Sequence, residues 1–546
     1  MSFFLKPLCR RERLNNRMKL RAEKFAAKNV FLAALLILTA PVRIFAAAPF
    51  ESPAALTPQG KIDELEFARL QELNLTPAHL CSDAVFVRRV YLDVIGTLPT
   101  AAEAQQFLLD RNPDKRHVLI DRLLARDEFA DYLALKWGDL LRIKAEFPIN
   151  LWPNAAQSYH RWVHDAIRDN LPYDKFAHAL LTASGSNYEN PPVNFYRALQ
   201  SRTPSGTAQA VALTFLGERA ERWPTNELAN LAVFFANNGY KSTAEWKEEI
   251  VFFDPASTNA GALNGAARPA VLPDGATVQL LPDQDPRIRF ADWLVKDPQF
   301  ARNLVNRAWS WLLGRGIVQE PDDFRADNPP SNPELLAFLE TEFVASGYDF
   351  KQLYRLILNS KTYQLASIPP SRRPEAAANF AFYPLRRLEA EVLIDALDQI
   401  TGANEKYSSA TPEPYTFIPD NLRSIALPDG SITSSFLEMF GHPARTTGLE
   451  SERNNRITAA QKLCLLNSSL MQRKIESSRM IEFQTSSNRA PAEVVTGMYL
   501  GILSRFPTPE EVQTAQAYFK SGIGKRQATV DLAWALMNST EFLYRH

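Results

Sequence analysis

Helical periodicity runs through most of this chain. Phe350, Leu353, Tyr354, Ile357 and Leu358 recur at i, i+3, i+4, i+7 and i+8, which lines one face of a helix with apolar side chains. Val392, Leu393, Ala396, Leu397 and Ile400 mark a second such face. Period-two alternation is scarce. Its best instance is Pro269 to Leu281, where Pro273-Asp274-Gly275 can turn a short hairpin. Residues 254–285 are rich in Gly, Pro and Asn and read as a connection. The pattern predicts a mainly α protein: a helical domain at 62–253, the connection with its short β-hairpin at 254–285, and a second helical domain at 286–546.

Helix starts are legible. Thr100-x-x-Glu103, Ser331-x-x-Glu334 and Thr508-x-x-Glu511 read as capping boxes, in which hydroxyl and carboxylate each satisfy an orphan backbone N–H. Pro509 falls at a first helical position, where its missing N–H costs nothing. Two of these boxes open similar segments. LPTAAEAQQFL leads to KRHVLIDRLLARDEF, and FPTPEEVQTAQAYF leads to KRQATVDLAWALMNSTEF. Each is predicted to form two helices joined by a turn, with Asp121 and Asp531 at equivalent places. A chance likeness between two helical hairpins is the competing reading.

The N-terminus changes the picture of charge. The net charge of the whole sequence is zero, but residues 1–48 hold ten Lys/Arg and two Asp/Glu, so the remainder carries 51 basic and 59 acidic residues. A net of −8 and no basic cluster argue against nucleic acid as a partner. The leader has the order of a secretory signal: Lys24 and Lys28, an apolar core from Val30 to Ala40, Pro41, then Ala46-Ala47-Ala48. The apolar run is shorter than the about 20 residues that span a bilayer. Residues 1–48 are therefore expected to be a signal peptide and 49–61 a linker, with export to the periplasm or cell surface. Membrane contact is expected only through an uncleaved leader. Met18 is an alternative start, and Pro49 argues for cleavage after Ala46 or Ala47. Past the leader only Cys81 and Cys464 remain, either as one disulfide or as two buried thiols.

The words FVRRVYLDVIGTLPT, DRLLARDEFADYLALKWGDLLR and PPVNFYRA, followed by Phe215-Leu216-Gly217 and Leu231-Ala232-Val233-Phe234-Phe235, resemble an exported family called planctomycete cytochrome c-like. From Asp285 to Phe542 the chain resembles that family's usual C-terminal partner, a domain of unknown function, through RFADWLVKDPQFARNLVNRAWSWLLGRGIV, DDFRADNPPSNPELLAFL and YPLRRLEAEVLIDAL. The resemblance implies export and a largely helical two-domain body. Its name implies electron transfer, carried by a C-x-x-C-H haem motif between the two words around Leu216 and Leu231. Here Thr214 to Phe235 reads TFLGERAERWPTNELANLAVFF, shorter and without cysteine. Leu449-Glu450-Ser451-Glu452-Arg453 likewise stands where the family commonly shows Cys-Glu-Cys-Glu-Arg. The sequence thus predicts a haem-less member, with no cofactor and no metal site.

Candidate chemistry then rests on carboxylates, arginines and histidines. His160 and His164 share a helix face but lack the Glu of a zinc motif, so structural histidines are expected. The acidic loop Asp322, Asp323, Arg325, Asp327 is expected to be pinned by Arg325 and to lead into the helix capped by Ser331. The loop holding Arg445, Glu450, Glu452 and Arg453 is either a binding site or a salt-bridge network between domains. Arg386 and Arg387 precede the helix with Glu389 and Glu391, and Arg387 is spaced to pair with Glu391. Arg445, Glu450, Glu452 and Arg453 are expected to converge near one cleft with either the Asp322–Asn328 loop or Arg386 and Arg387. Trp137, Trp309 and Trp534 sit in core-like helical words, whereas Trp152 and Trp223 lie beside prolines and are expected to be more exposed. Two function classes follow. One is an exported binding or scaffold protein whose partner is an extracellular polymer or another exported protein. The other is a hydrolase of such a polymer, a polysaccharide for instance, with paired carboxylates about 5–10 Å apart.

Overall fold

The structure is a computed structural model that describes residues 49–259, 261–486 and 488–546; the leader, its cleavage region and Met18 lie outside them. Among the described residues helices predominate and strands are short. No helix among them is long and apolar enough to cross a membrane.

Residues 50–546 form one compact unit. The larger of its two main cores mixes both halves of the sequence, packing Phe86, Trp137 and Phe215 with Phe290, Trp309 and Tyr354. The second core gathers side chains from Leu388 onward and takes Leu92, Leu98, Tyr132 and Leu135 from the first half. The sequence boundary at 254–285 is therefore not the boundary between cores. The connection does hold the expected hairpin, with Arg268–Val271 antiparallel to Thr277–Leu280. A three-stranded antiparallel sheet was not anticipated. In it Glu249–Phe253 lies between Gly185–Ser186 and Asn238–Ser242.

The helix Asp83–Val94 starts at Ser82, whose hydroxyl accepts from Val85 N, and is buried along almost its whole length. Its two arginines are buried too, and they tie distant backbone to it. Arg88 donates to the carbonyls of Ile502 and Phe542 at 2.8 and 2.9 Å. Arg89 donates to those of Tyr363 and Leu365 at 2.7 and 2.8 Å. Carbonyls at segment ends need donors once water is excluded, and a guanidinium offers five.

The two similar hairpins are present as helix pairs, Ala101–Leu109 with Lys115–Leu124 and Pro509–Phe519 with Lys525–Met537. Thr100–Glu103 and Thr508–Glu511 form both arms of their capping boxes. Asp121 and Asp531 each fall at the seventh residue of their second helix. The likeness also reaches further back. Tyr91 and Tyr499 stand nine residues before the capping threonines, and Gly96 and Ser504 share φ of +60°. In each hairpin one arginine bonds the box glutamate and the later glutamate. Arg126 joins Glu103 and Glu128, while Arg505 joins Glu511 and Glu541. Each lies over its tyrosine, at 5.8 and 5.1 Å. These arginines come from different sequence positions, so the same three-residue contact is met by two routes.

The third expected box is displaced. Asn332, not Ser331, caps the helix Pro333–Ala345 by accepting from Leu335 N. Pro333 fixes the first helical position, which leaves the cap to the residue before it. Trp309 and Trp137 are core residues, but Trp534 is 40% exposed and donates from its indole to the Leu466 carbonyl. Cys81 is buried, Cys464 is half-buried, and both are free thiols.

Candidate functional site

The helix Asp127–Leu140 begins with Asp127 and Glu128, whose charges suit the positive end of the helix. Further along, its buried face carries two charges in an otherwise apolar stretch, Lys136 and Asp139. Lys136 bonds Glu389 in a short ion pair, and Tyr132 on the same helix donates to Glu389 at 2.8 Å. Asp139 accepts from Arg445 at 2.8 Å and from Arg453 at 2.7 Å. Arg453 also reaches Glu391 at 2.7 Å, and His442 meets the other oxygen of Glu391 at 2.7 Å. Burial alone would raise the carboxyls of Glu389 and Glu391. Lys136, Arg545 and Arg453 hold Glu389 below the usual carboxylate range instead, and Arg453 with His442 does so for Glu391.

This network floors a cleft of about 570 Å³. Lys136, Arg386, Glu389, Glu450 and Arg453 supply its charges inside. Ser310 and Trp311 enter from the helix Pro298–Leu313, and Ser451, Asn454 and Asn455 from the loop opposite. Arg386 is held by the Trp311 and Leu312 carbonyls at 3.0 and 2.7 Å and by Asp93 at 3.2 Å. Gly314, at φ +77°, makes room for it, because a Cβ there would lie 2.1 Å from the arginine Cδ. Asp93 also accepts from Tyr363, Tyr383 and Arg545 at 2.8–3.0 Å.

Of the ten candidate residues, Arg386, Glu450 and Arg453 line this cleft. The others do not. Arg387 pairs its strand with Tyr544, and alternation along that strand sends it away from Arg386. It donates to the Phe440 carbonyl at 2.6 Å, so the expected pairing with Glu391 does not form. Arg445 is wholly buried; a Cβ on Gly430 would come within 2.6 Å of its stem. Glu452 closes its own loop, accepting from Thr446 N and Thr447 N at 3.1 and 2.8 Å. Asp322 is buried, pairs with Arg219 at 2.7 Å and accepts from Glu450 N at 2.9 Å. Asp323 pairs with Arg222 at 2.9 Å and with Arg325 at 3.3 Å. Arg325 bonds Asp327 at 3.2 Å on the surface. Arg325 thus pins only Asp323 and Asp327, and a partner from the first half of the chain holds Asp322.

Glu450 differs from the other carboxylates of the cleft. Its side chain is 30% exposed and its nearest cation, Arg307, stands at 3.8 Å. Burial raises its carboxyl above the usual range, and Asp322 and Asp139 add to that against Arg307 and Lys136. Within the cleft the surroundings thus push two carboxyls in opposite directions, Glu389 below the usual range and Glu450 above it.

His160 and His164 do not form a joint site. Burial pushes His160 down to about 3, while His164 meets Asp131 and Asp165 at 3.4 and 3.2 Å. Among the described residues no group of three or more His, Cys, Asp or Glu side chains is arranged to hold a metal ion.

Lys136, Asp139 and Asp93 were missed in the sequence. Their signal was there: single charges inside apolar helical words, LALKWGDLL and VYLDVIG, where burial demands a partner.

Residues 61–234 match the model of the PSCyt2 family, described as a protein of unknown function (DUF1549), and residues 286–519 match that of the PSD1 family, described as a protein of unknown function (DUF1553). No curated protein matches the chain. No solved structure matches it.

Proposed function

We propose that this chain, with its PSCyt2 and PSD1 segments, is an exported, haem-less binding protein whose cleft takes a hydroxyl-rich ligand such as a segment of extracellular polysaccharide. One observation carries this reading. The cations inside the cleft, Lys136, Arg386 and Arg453, are matched to carboxylates or carbonyls and only Arg456 at the rim is exposed, so Ser310, Ser451, Asn454 and Asn455, beside Trp311, remain for a ligand. Neutral amides and hydroxyls suit hydroxyl groups better than they suit a phosphate. Export is supported by the order of the leader, and a polymer outside the cell fits it.

A second reading, hydrolysis of the same polymer, is favoured by the contrast between Glu450 and Glu389. A carboxyl raised above the usual range beside one held as an anion is the kind of contrast that acid–base cleavage of a glycosidic bond uses. Against it, Glu389 is occupied by Lys136 and Tyr132.

Affinity electrophoresis through gels containing neutral or uronic-acid polysaccharides tests binding, and release of reducing ends tests cleavage. Retardation that Asn454→Ala weakens, without new reducing ends, is expected. Reducing ends lost on Glu450→Gln would establish the hydrolase. Equal mobility in every gel would overturn both.

A further inference from the structure

The second cavity opens where the sequence departs from the family it resembles. The helix Pro204–Val211 runs on through Ala212–Leu216 and stops at Gly217, whose φ is +68°. A Cβ there would lie 2.5 Å from Asn303 Oδ1, so the stop is sterically fixed. The chain turns through Ala220–Arg222 and enters the helix Thr225–Ala232. This short interval, without cysteine, forms one wall of a pocket of about 450 Å³. The hairpin turn at Pro273-Asp274-Gly275 and the start of the helix Pro298–Leu313 form the other.

The chemistry of the lining is one-sided. It holds Trp223 and Trp293 and four carboxylates, Glu218, Glu227, Asp274 and Asp297, with no Lys, Arg or His. Two of the acids are committed. Asp274 accepts from the Trp293 indole at 2.8 Å, which fixes that ring, and Asp297 caps its helix by accepting from Gln299 N at 2.8 Å. Gln299 in turn donates to the Leu216 carbonyl at 2.7 Å and locks the two walls together. Glu218 is bonded by the Trp223 side chain, which ties that ring to its wall as Asp274 ties Trp293. Glu218 and Glu227 are left with no cation in the lining.

We propose that this pocket binds an organic ammonium group, with Trp223 and Trp293 as aromatic walls and Glu218 and Glu227 as counter-charge. An anion would be repelled by every charged group in the lining. A neutral sugar would use the tryptophans but not the acids. A metal ion needs converging ligands, and among the described residues no such group exists. An alkylammonium uses both features, since its charge is attracted to ring faces and to carboxylates while its carbon surface covers the apolar lining. Burial, with Asp297 and Glu227 adding to it, pushes Glu218 up to about 7, so a cation entering the pocket relieves an existing repulsion.

The ammonium can belong to a free quaternary amine or to an amino sugar of a polymer. Titrations of the chain at pH 7, where the glucosamine amine is mostly protonated, followed by tryptophan fluorescence and by heat, separate the two with choline and glucosamine. The uncharged choline isostere 3,3-dimethylbutan-1-ol is the control. Saturable binding of one ammonium probe is expected, with binding of the isostere weaker by at least about tenfold. Glu218→Gln should weaken the ammonium probe by a similar factor and leave the isostere unchanged. Trp223→Phe, which keeps a ring, should bind more weakly than the parent and more tightly than Trp223→Ala. Equal binding of choline and its isostere would overturn the proposal. So would the absence of binding by both ammonium probes to a protein with an unaltered unfolding transition.

Discussion

The helix Pro298–Leu313 touches two cavities, and they treat charge in opposite ways. Near its C-terminal end, Ser310 and Trp311 border the large cleft, beneath which Glu389 pairs with Lys136 while Glu391 and Asp139 share Arg453. Near its start, Gln299 borders a pocket whose acids have no cation in the lining. Eleven residues of helix separate the two, about 16 Å. In the first, the ion pairs close on one another and serve the fold, leaving neutral groups for a ligand. In the second, the counter-charge is left for something from outside.

The largest expected difference is all or none. The interval from Thr214 to Phe235 walls the acidic pocket and has no cysteine, so thioether attachment of haem has no site there. The purified protein should show no Soret band and no haem-stained band after denaturing electrophoresis. A surviving haem band would remove the pocket as described.

Next in size is the cost of breaking the cleft's network. Arg445 is wholly buried against Gly138 and Gly430, and it shares Asp139 with Arg453. Arg445→Ala removes one partner and leaves a cavity, for a loss of about 3–5 kcal/mol in denaturant unfolding. Glu218→Gln, in the pocket, should cost nothing at pH 7. If Arg445→Ala lost less than about 1 kcal/mol, the cleft's ion pairs would not be the structural element described here.

The two regions should also tilt stability against pH in opposite directions. Glu391 is held well below its unfolded value of about 4.5 by Arg453 and His442, in spite of burial. Its contribution is present above about pH 4.5 and is lost as pH falls through the lower folded value. Glu218 is raised to about 7, chiefly by burial. Its contribution is present below about pH 4.5 and is lost as pH rises through about 7. Glu218→Gln should therefore gain about 1 kcal/mol relative to the parent between pH 4.5 and 8, a figure discounted for the solvent around a half-buried group. Glu391→Gln should lose stability at neutral pH and approach the parent in acid. Slopes of the same sign in both variants would erase the contrast.

What the sequence revealed follows the range of the interactions. Capping at Thr100 and Thr508 uses residues three apart, and the apolar faces at Leu353 and Leu393 use one turn, so both are visible along the chain. The hairpin at Pro273 is local for the same reason. The polar loops around Arg386 and Glu450 were recognisable as polar, yet their partners were not. Arg453 meets Asp139 across 314 positions, and Arg219 meets Asp322 across 103. Local spacing suggested Arg387 with Glu391 and Arg325 with Asp322, and in both cases a distant partner takes the nearer residue's place. The acidic pocket was invisible because its walls come from three segments, none of which is unusual alone.

The smallest predicted effects give the sharpest separation. Glu227 is exposed at the rim of the pocket and Arg456 is exposed at the rim of the cleft. Neither Glu227→Gln nor Arg456→Ala should move the unfolding free energy by more than about 0.5 kcal/mol, since neither leaves a buried group unpaired. Their effects on ligands should nevertheless divide. Glu227→Gln removes a screened charge from the pocket and should weaken choline or glucosamine by about threefold, an effect that shrinks as salt is added. It should leave mobility in polysaccharide gels unchanged. Arg456→Ala should leave the ammonium titration unchanged and alter only the gel result, and only in gels that carry uronic acid. Should either variant shift both readouts, the two cavities would be one site in function, and the contrast along the Pro298–Leu313 helix would be one of composition alone.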